Sequence, residues 1–147
     1  MILFYRAVGL TVAALALAFA GSALALDSGV VPPVVVKQLA KTAVTDGGQP
    51  IVLPQTDARV IASIFDIAAD ATLPVHKHPF PRYAYVLAGE LRVTNVETGE
   101  GRTYRTGDFI VEMVGRWHQG QSLGGKPVKL LVIDQIEGDA PHTVARD

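Results

Sequence analysis

His76 and His78 stand one residue apart in Pro74-Val75-His76-Lys77-His78-Pro79, and His118 follows forty residues later. In an extended segment, residues i and i+2 leave the backbone on one face, about 7 Å apart. Two imidazoles so placed can close on one ion with bonds of about 2.0–2.1 Å. The flanking prolines stiffen the segment. Three neutral imidazoles leave the charge of a divalent ion intact and its remaining positions open, as in catalytic zinc sites. Lys77, between the pair, points to the opposite face and reads as solvated. His142 has no partner at ligand spacing and reads as a surface residue.

Other side chains near these histidines carry chemistry of their own. Glu112 is the one charged residue in Phe109-Ile110-Val111-Glu112-Met113-Val114. Arg82 follows the histidine pair closely. A guanidinium offers only donors and stays charged, so it cannot ligate a metal. Tyr83 and Tyr85 lie beyond it, and Trp117 precedes His118. Tyr85 and Trp117 are candidate pocket-wall and substrate-contacting residues.

Strands must position these groups. Arg59 to Ile67 is rich in β-branched and aromatic residues and ends at the break Ala68 to Pro74. Arg82 to Val96 holds two strand-like runs joined at Gly89, and Glu97 to Gly101 makes a hairpin turn. Arg102 to Thr106, Phe109 to Val114 and Pro127 to Asp134 complete the set. Gly115 to Lys126 reads as a long loop. Short strands punctuated by turns predict an all-β sandwich or barrel, and no stretch beyond residue 25 has a sustained 3.6-residue apolar period. The expected organisation is a barrel over 51–136, a linker or edge strand over 26–50 with its strand at Val34–Val36, and a surface tail over 137–147.

The N-terminus has a separate logic. Arg6 precedes the apolar run Ala7 to Gly21, which is short for a membrane span. Ala23-Leu24-Ala25 then gives a small-residue cleavage pattern. Residues 1–25 are expected to be a signal peptide cleaved after Ala25, placing the protein in the periplasm or outside the cell without a stable membrane span. Arg6 is the only charge lost, so 13 basic residues become 12 against 14 acidic ones. A mature net charge of −2 and the lack of a basic run argue against a nucleic-acid partner. Cysteine is absent, which excludes thiol nucleophiles and Cys-ligated zinc. Stability must come from core burial, within reach of about 120 residues.

With these residues in place, the chain resembles a small single-domain cupin, a cupin-like double-stranded β-helix or jelly-roll barrel. His76, His78 and Gly89 match the first cupin motif. Asp70 stands where that motif opens on glycine, and Asp can also occupy a left-handed turn position. Gly107, Gly115 and His118 match the second motif, with Met113 in place of its proline and Ser122 in place of its asparagine. The glutamate of the first motif falls on Arg82. The resemblance implies a divalent transition metal (Fe, Mn, Zn, Ni or Cu) held by His76, His78 and His118. It also implies that position 112 is normally apolar and faces the interior. Glu112 then has four readings: a relocated fourth ligand, a base beside metal-bound water, a partner for Arg82, or an outward-facing residue.

The function expected is an exported metal-dependent, oxygenase-like enzyme acting on a small organic substrate. In that reading Arg82 grips a substrate carboxylate at the rim. The alternatives are a small-molecule binding or sensing module without turnover, and a metal that serves only to stabilise the barrel. By resemblance, a homodimer is expected, with Val30 to Val36 adding a strand to a neighbour.

Overall fold

A computed structural model describes residues 33–146. The proposed signal peptide, its cleavage site after Ala25 and the following residues up to 32 lie outside the described residues. Residues 37–146 fall within one compact unit. The expectation of an all-β fold is met: β1 (Ala58–Ile67), β2 (His76–Lys77), β3 (Arg82–Ala88), β4 (Glu90–Asn95), β5 (Gly101–Arg105), β6 (Phe109–Val111), β7 (His118–Ser122), β8 (Val128–Glu137) and β9 (Val144–Ala145). They form a four-stranded sheet ordered β1-β8-β3-β6 and a five-stranded sheet ordered β5-β4-β7-β2-β9. The described pairings within both sheets are antiparallel.

Period-two alternation builds the interior. On β3, Arg82, Ala84 and Val86 are buried; on β8, every second residue from Val128 to Ile136 is buried. Ala84, Val86, Val128, Leu130 and Val132 meet Leu91 and Val93 of β4, Tyr104 of β5 and Ile110 of β6 in one core cluster. Each such Val or Leu removed from water contributes about 1.5–3 kcal/mol. The opposite face of the four-stranded sheet leaves Val60, Ile64 and Leu87 exposed.

Two turns explain residues singled out in the sequence. Gly89 joins β3 to β4 at φ 84°. A Cβ there would lie 2.5 Å from the Pro127 carbonyl oxygen, so glycine is required both by conformation and by space. Asp70 adopts φ 56°, the left-handed turn expected of it. Its Oδ1 accepts a hydrogen bond from the Gly125 amide at 3.1 Å.

Three expectations are corrected. The segment read as a loop contains β7, His-Gln-Gly-Gln-Ser, whose inward positions are His118, Gly120 and Ser122. Val34–Val36 form no strand and are exposed, because β-branched residues make a strand only where a neighbour supplies the ladder. The tail does not simply run over the surface. Val144 and Ala145 pair with Lys77 and His76 as β9, and the Arg146 amide donates to the Val75 carbonyl at 2.9 Å. The strand bearing His76 is thereby flanked on both sides.

Candidate metal centre

β2 lies between β7 and β9, and His76 stands directly opposite His118 in the β2–β7 register. The sheet thus closes the forty-residue gap. His78 leaves the end of β2 in a parallel bridge to Val114, and its carbonyl accepts from the Gly115 amide at 2.8 Å. The three imidazole centroids lie 4.5–4.9 Å apart. His78 and His118 are fully buried. One ligand atom from each of His76, His78, Glu112 and His118 falls within a cluster whose members are all within 4.8 Å of one another.

Glu112 follows β6 and points inward. Its amide donates to the Arg82 carbonyl at 3.0 Å. The next residues are held by Gln49, whose side chain donates to the Val114 carbonyl at 2.6 Å and accepts from the Val114 amide at 3.1 Å. Gln49, within the stretch expected to be a linker or edge strand, therefore braces the segment that carries Glu112. One Glu112 oxygen lies 3.1 Å from His78 Nε2 and 3.2 Å from His118 Nε2.

The tautomers follow from the neighbours. His76 Nδ1 is 2.8 Å from the Pro74 carbonyl, His78 Nδ1 is 3.0 Å from that of His142, and His118 Nδ1 is 2.9 Å from that of Arg116. A carbonyl only accepts, so each Nδ1 carries a proton, and in its neutral form each ring turns a bare Nε2 lone pair inward. Arg82 gives an independent reading: its guanidinium, which only donates, lies 3.3 Å from His78 Nε2. His118 Nε2 is buried without a hydrogen-bond partner. Lone pairs and a carboxylate oxygen in mutual contact repel unless a cation or a proton lies among them.

Burial alone would raise the Glu112 carboxyl, but His118 and His78, where they carry a proton on Nε2, outweigh it by hydrogen bond and charge and hold the group well below the usual carboxylate range. His76 is pushed down to about 4, chiefly by burial, with its contact to the Pro74 carbonyl opposing and the neighbouring His118 and His78 adding to the fall. The unfolded chain takes up this proton near the ordinary value of 6.5 and the folded chain only near 4. Between those values the unfolded state binds more protons, so folded stability falls as pH drops. The urea midpoint of the metal-free protein is expected to decrease from pH 6.5 to 4, and His76→Gln to flatten that slope. Parallel slopes for the two proteins would contradict the assignment.

Arg82 is corrected in position. It is not at a rim but is 3% exposed, and its Nε donates to Asp134 Oδ1 at 2.6 Å. Arg82 and Asp134 are direct cross-strand neighbours of β3 and β8. The side-chain contacts of Glu112 run to the two histidines, so the reading of Glu112 as the partner of Arg82 gives way to Arg82–Asp134. The guanidinium also donates to His142 Nδ1 and Thr143 Oγ1, both at 2.9 Å.

His142, expected to be a lone surface residue, thus supports two members of the site: its ring accepts from Arg82 and its carbonyl from His78. Tyr85 lies on the alternate face of β3 from Arg82 and Val86, outside the set of residues that line the interior at the histidine cluster. Trp117 is also outside that lining. Its ring lies 4.5 Å from Lys77 Nζ and 5.7 Å from the Arg146 guanidinium, so Lys77 is on the opposite face, as expected, but packed on an indole.

Residues 63–134 match the family described as cupin domain. The fold is that of a cupin. Solved structures similar to this cupin barrel include oxalate decarboxylase from Bacillus subtilis, at 23% identity and a TM-score of 0.48, over 58% of this chain and 23% of that one. An uncharacterized conserved protein with a double-stranded β-helix domain from Klebsiella pneumoniae is 19% identical over 67% of this chain and 82% of its own, with a TM-score of 0.49. The Cnp3 cupin domain of Schizosaccharomyces pombe is 17% identical over 54% of this chain and 56% of its own, with a TM-score of 0.47. This chain spans less than a quarter of the oxalate decarboxylase. No curated protein matches it significantly. Among the described residues, no helix is long and apolar enough to cross a membrane.

Proposed function

We propose that this cupin holds one divalent transition metal between His76, His78, His118 and Glu112, and that it works as an exported metal-dependent enzyme. The observation that carries the reading is the convergence of three Nε2 lone pairs on a carboxylate oxygen. A divalent cation relieves that contact while leaving every Nδ1–H bonded to its carbonyl. Glu112 stands in for the carboxylate that a first-motif glutamate would supply, from the segment that follows β6.

When bound, the ion supplies a Lewis-acid or one-electron redox centre. The chain's own residues fix what reaches it. The carbonyls of Pro74, His142 and Arg116 lock the three rings in the ligating tautomer, which also raises their basicity. Asp134 neutralises Arg82, so the guanidinium beside His78 adds no uncompensated charge. Glu112, the remaining anion, offsets part of the ion's charge. Imidazoles suit Zn, Cu, Fe and Ni, and a carboxylate extends the range to Mn. A small cavity adjoins the ligands, so the coordination shell is not closed by protein, in the manner of catalytic rather than structural sites.

Export rests on the N-terminal sequence, with cleavage after Ala25. Intact mass and elemental analysis of protein taken from its native compartment test both parts. The expected result is a chain beginning at Leu26 with one transition-metal ion per chain, lost in a His78→Ala/His118→Ala double variant. Protein that contains no such ion and takes up none on equilibration would sink the metal reading. A mass that retains Met1 to Ala25 would sink the cleavage.

A further inference from the structure

The interior space at the ligands is very small. A cavity of about 30 Å³ is lined by His76, His118, Glu112 and Arg82, and otherwise by apolar walls that include Phe65, Leu91, Val93 and Leu130. Pockets for drug-sized organic ligands run to about 300–1,000 Å³, whereas one water needs about 10–15 Å³. The ion takes part of the space. What remains suits a ligand of two or three heavy atoms, and apart from Arg82 and the metal ligands the walls offer it no polar side chain.

Val93 is the wall on which this limit turns. It projects inward from β4, 9% exposed, opposite Gly120 of β7. Gly120 leaves no slack on its side, because a Cβ there would lie 3.1 Å from Leu73 Cδ1. The same Val93 also lines a second, open cleft of about 580 Å³, together with Asn95, Tyr104, Met113, Arg102 and Arg116. That cleft is large enough for an organic molecule. Its two arginines are each matched to an acid, Arg102 to Asp46 at 3.2 Å and Arg116 to Glu97 at 3.7 Å, so it has no free cation with which to draw a large anion inward.

We infer that the metal of this protein takes a diatomic or triatomic ligand, of the size of dioxygen or azide, and that Val93 is the specificity-determining residue that keeps larger molecules in the outer cleft. This rests on the metal centre proposed above, and it narrows the substrate expected to meet the ion from a small organic molecule to a two- or three-atom one. An organic co-substrate, where one takes part, stays on the far side of Val93.

Cobalt(II)-loaded protein separates the two ideas. Its ligand-field absorption reports loading without any turnover; no cobalt bands would overturn the metal centre itself, and this inference with it. With cobalt bound, azide is expected to change the spectrum and the bidentate acetylacetonate anion to leave it unchanged. In Val93→Ala the chamber joins the cleft. Acetylacetonate is then expected to bind at least about tenfold more tightly than to the parent protein, with azide affinity nearly constant. Val93→Ile, which shrinks the chamber, is expected to weaken azide, and it keeps the test decisive should the alanine variant fold poorly. A parent protein that binds acetylacetonate at cobalt as readily as azide would overturn the size limit. A Val93→Ala protein that loads cobalt yet still excludes acetylacetonate would remove Val93 from the role.

Discussion

Arg82→Met is expected to destabilise the protein by about 3–5 kcal/mol, the usual consequence of removing one partner from a buried ion pair. Arg82 and Asp134 are 3% and 2% exposed and joined at 2.6 Å. Without the guanidinium, Asp134 keeps a charge inside the barrel, and its second oxygen already lacks a hydrogen-bond partner. The pair itself need not be net stabilising, because desolvation of two charges offsets their attraction. The double variant Arg82→Met/Asp134→Leu is therefore expected to regain most of the loss. Urea unfolding of the parent, both single variants and the double variant gives the coupling directly. A single-variant cost below about 1 kcal/mol, the worth of an exposed pair, would mean that water reaches the site.

The same cycle separates stability from metal holding. Arg82 also anchors His142 and Thr143, and the His142 carbonyl fixes His78. Removing both charges in the double variant does not restore those bonds. Metal affinity should therefore stay reduced in the double variant, within the roughly 10–100-fold range typical of lost outer-shell support.

How far this arrangement was legible in the sequence depends on the kind of signal. Apolar, β-branched and aromatic runs between turns exposed β1, β3, β4 and β8, since most of their inward residues are apolar and their turns carry glycine or Asp70. The histidine spacing gave three members of the cluster, and Glu112 stood out as a charge at a position that faces inward. β7 was hidden because its inward residues are His118, Gly120 and Ser122. Two of these are polar and one lacks a side chain, so no apolar alternation marks a strand that faces a polar site. Arg82 was misplaced for a related reason. Its partner Asp134 lies fifty-two residues away, and the two meet only through the β3–β8 register. The tail's role was illegible because His142 supports His78 through a backbone carbonyl, which any residue could present. Two-residue strands such as β9 carry too little pattern to be read at all.

Glu112→Gln is the most informative change at the centre itself. The amide nearly preserves size and can still reach His78 and His118, so the fold should survive. What disappears is the anion that faces two buried imidazoles. Loss of a direct ligand should exceed the roughly 10–100-fold that outer-shell losses cost, and the fall should depend on the ion. Mn(II), which favours carboxylate and water, should lose more affinity than Zn(II), which three imidazoles already suit. Titration calorimetry with each ion measures the two losses separately. Equal, small losses for both would show that Glu112 lies beside the metal without binding it, leaving it as a base or a charge-balancing neighbour. A preferential loss of Mn(II) would place the carboxylate in the coordination shell, and would account for an arginine standing where the first cupin motif carries its glutamate. The acid would then come from the residue that follows β6, with Asp134 as the counterion of the arginine that stands in the motif's place.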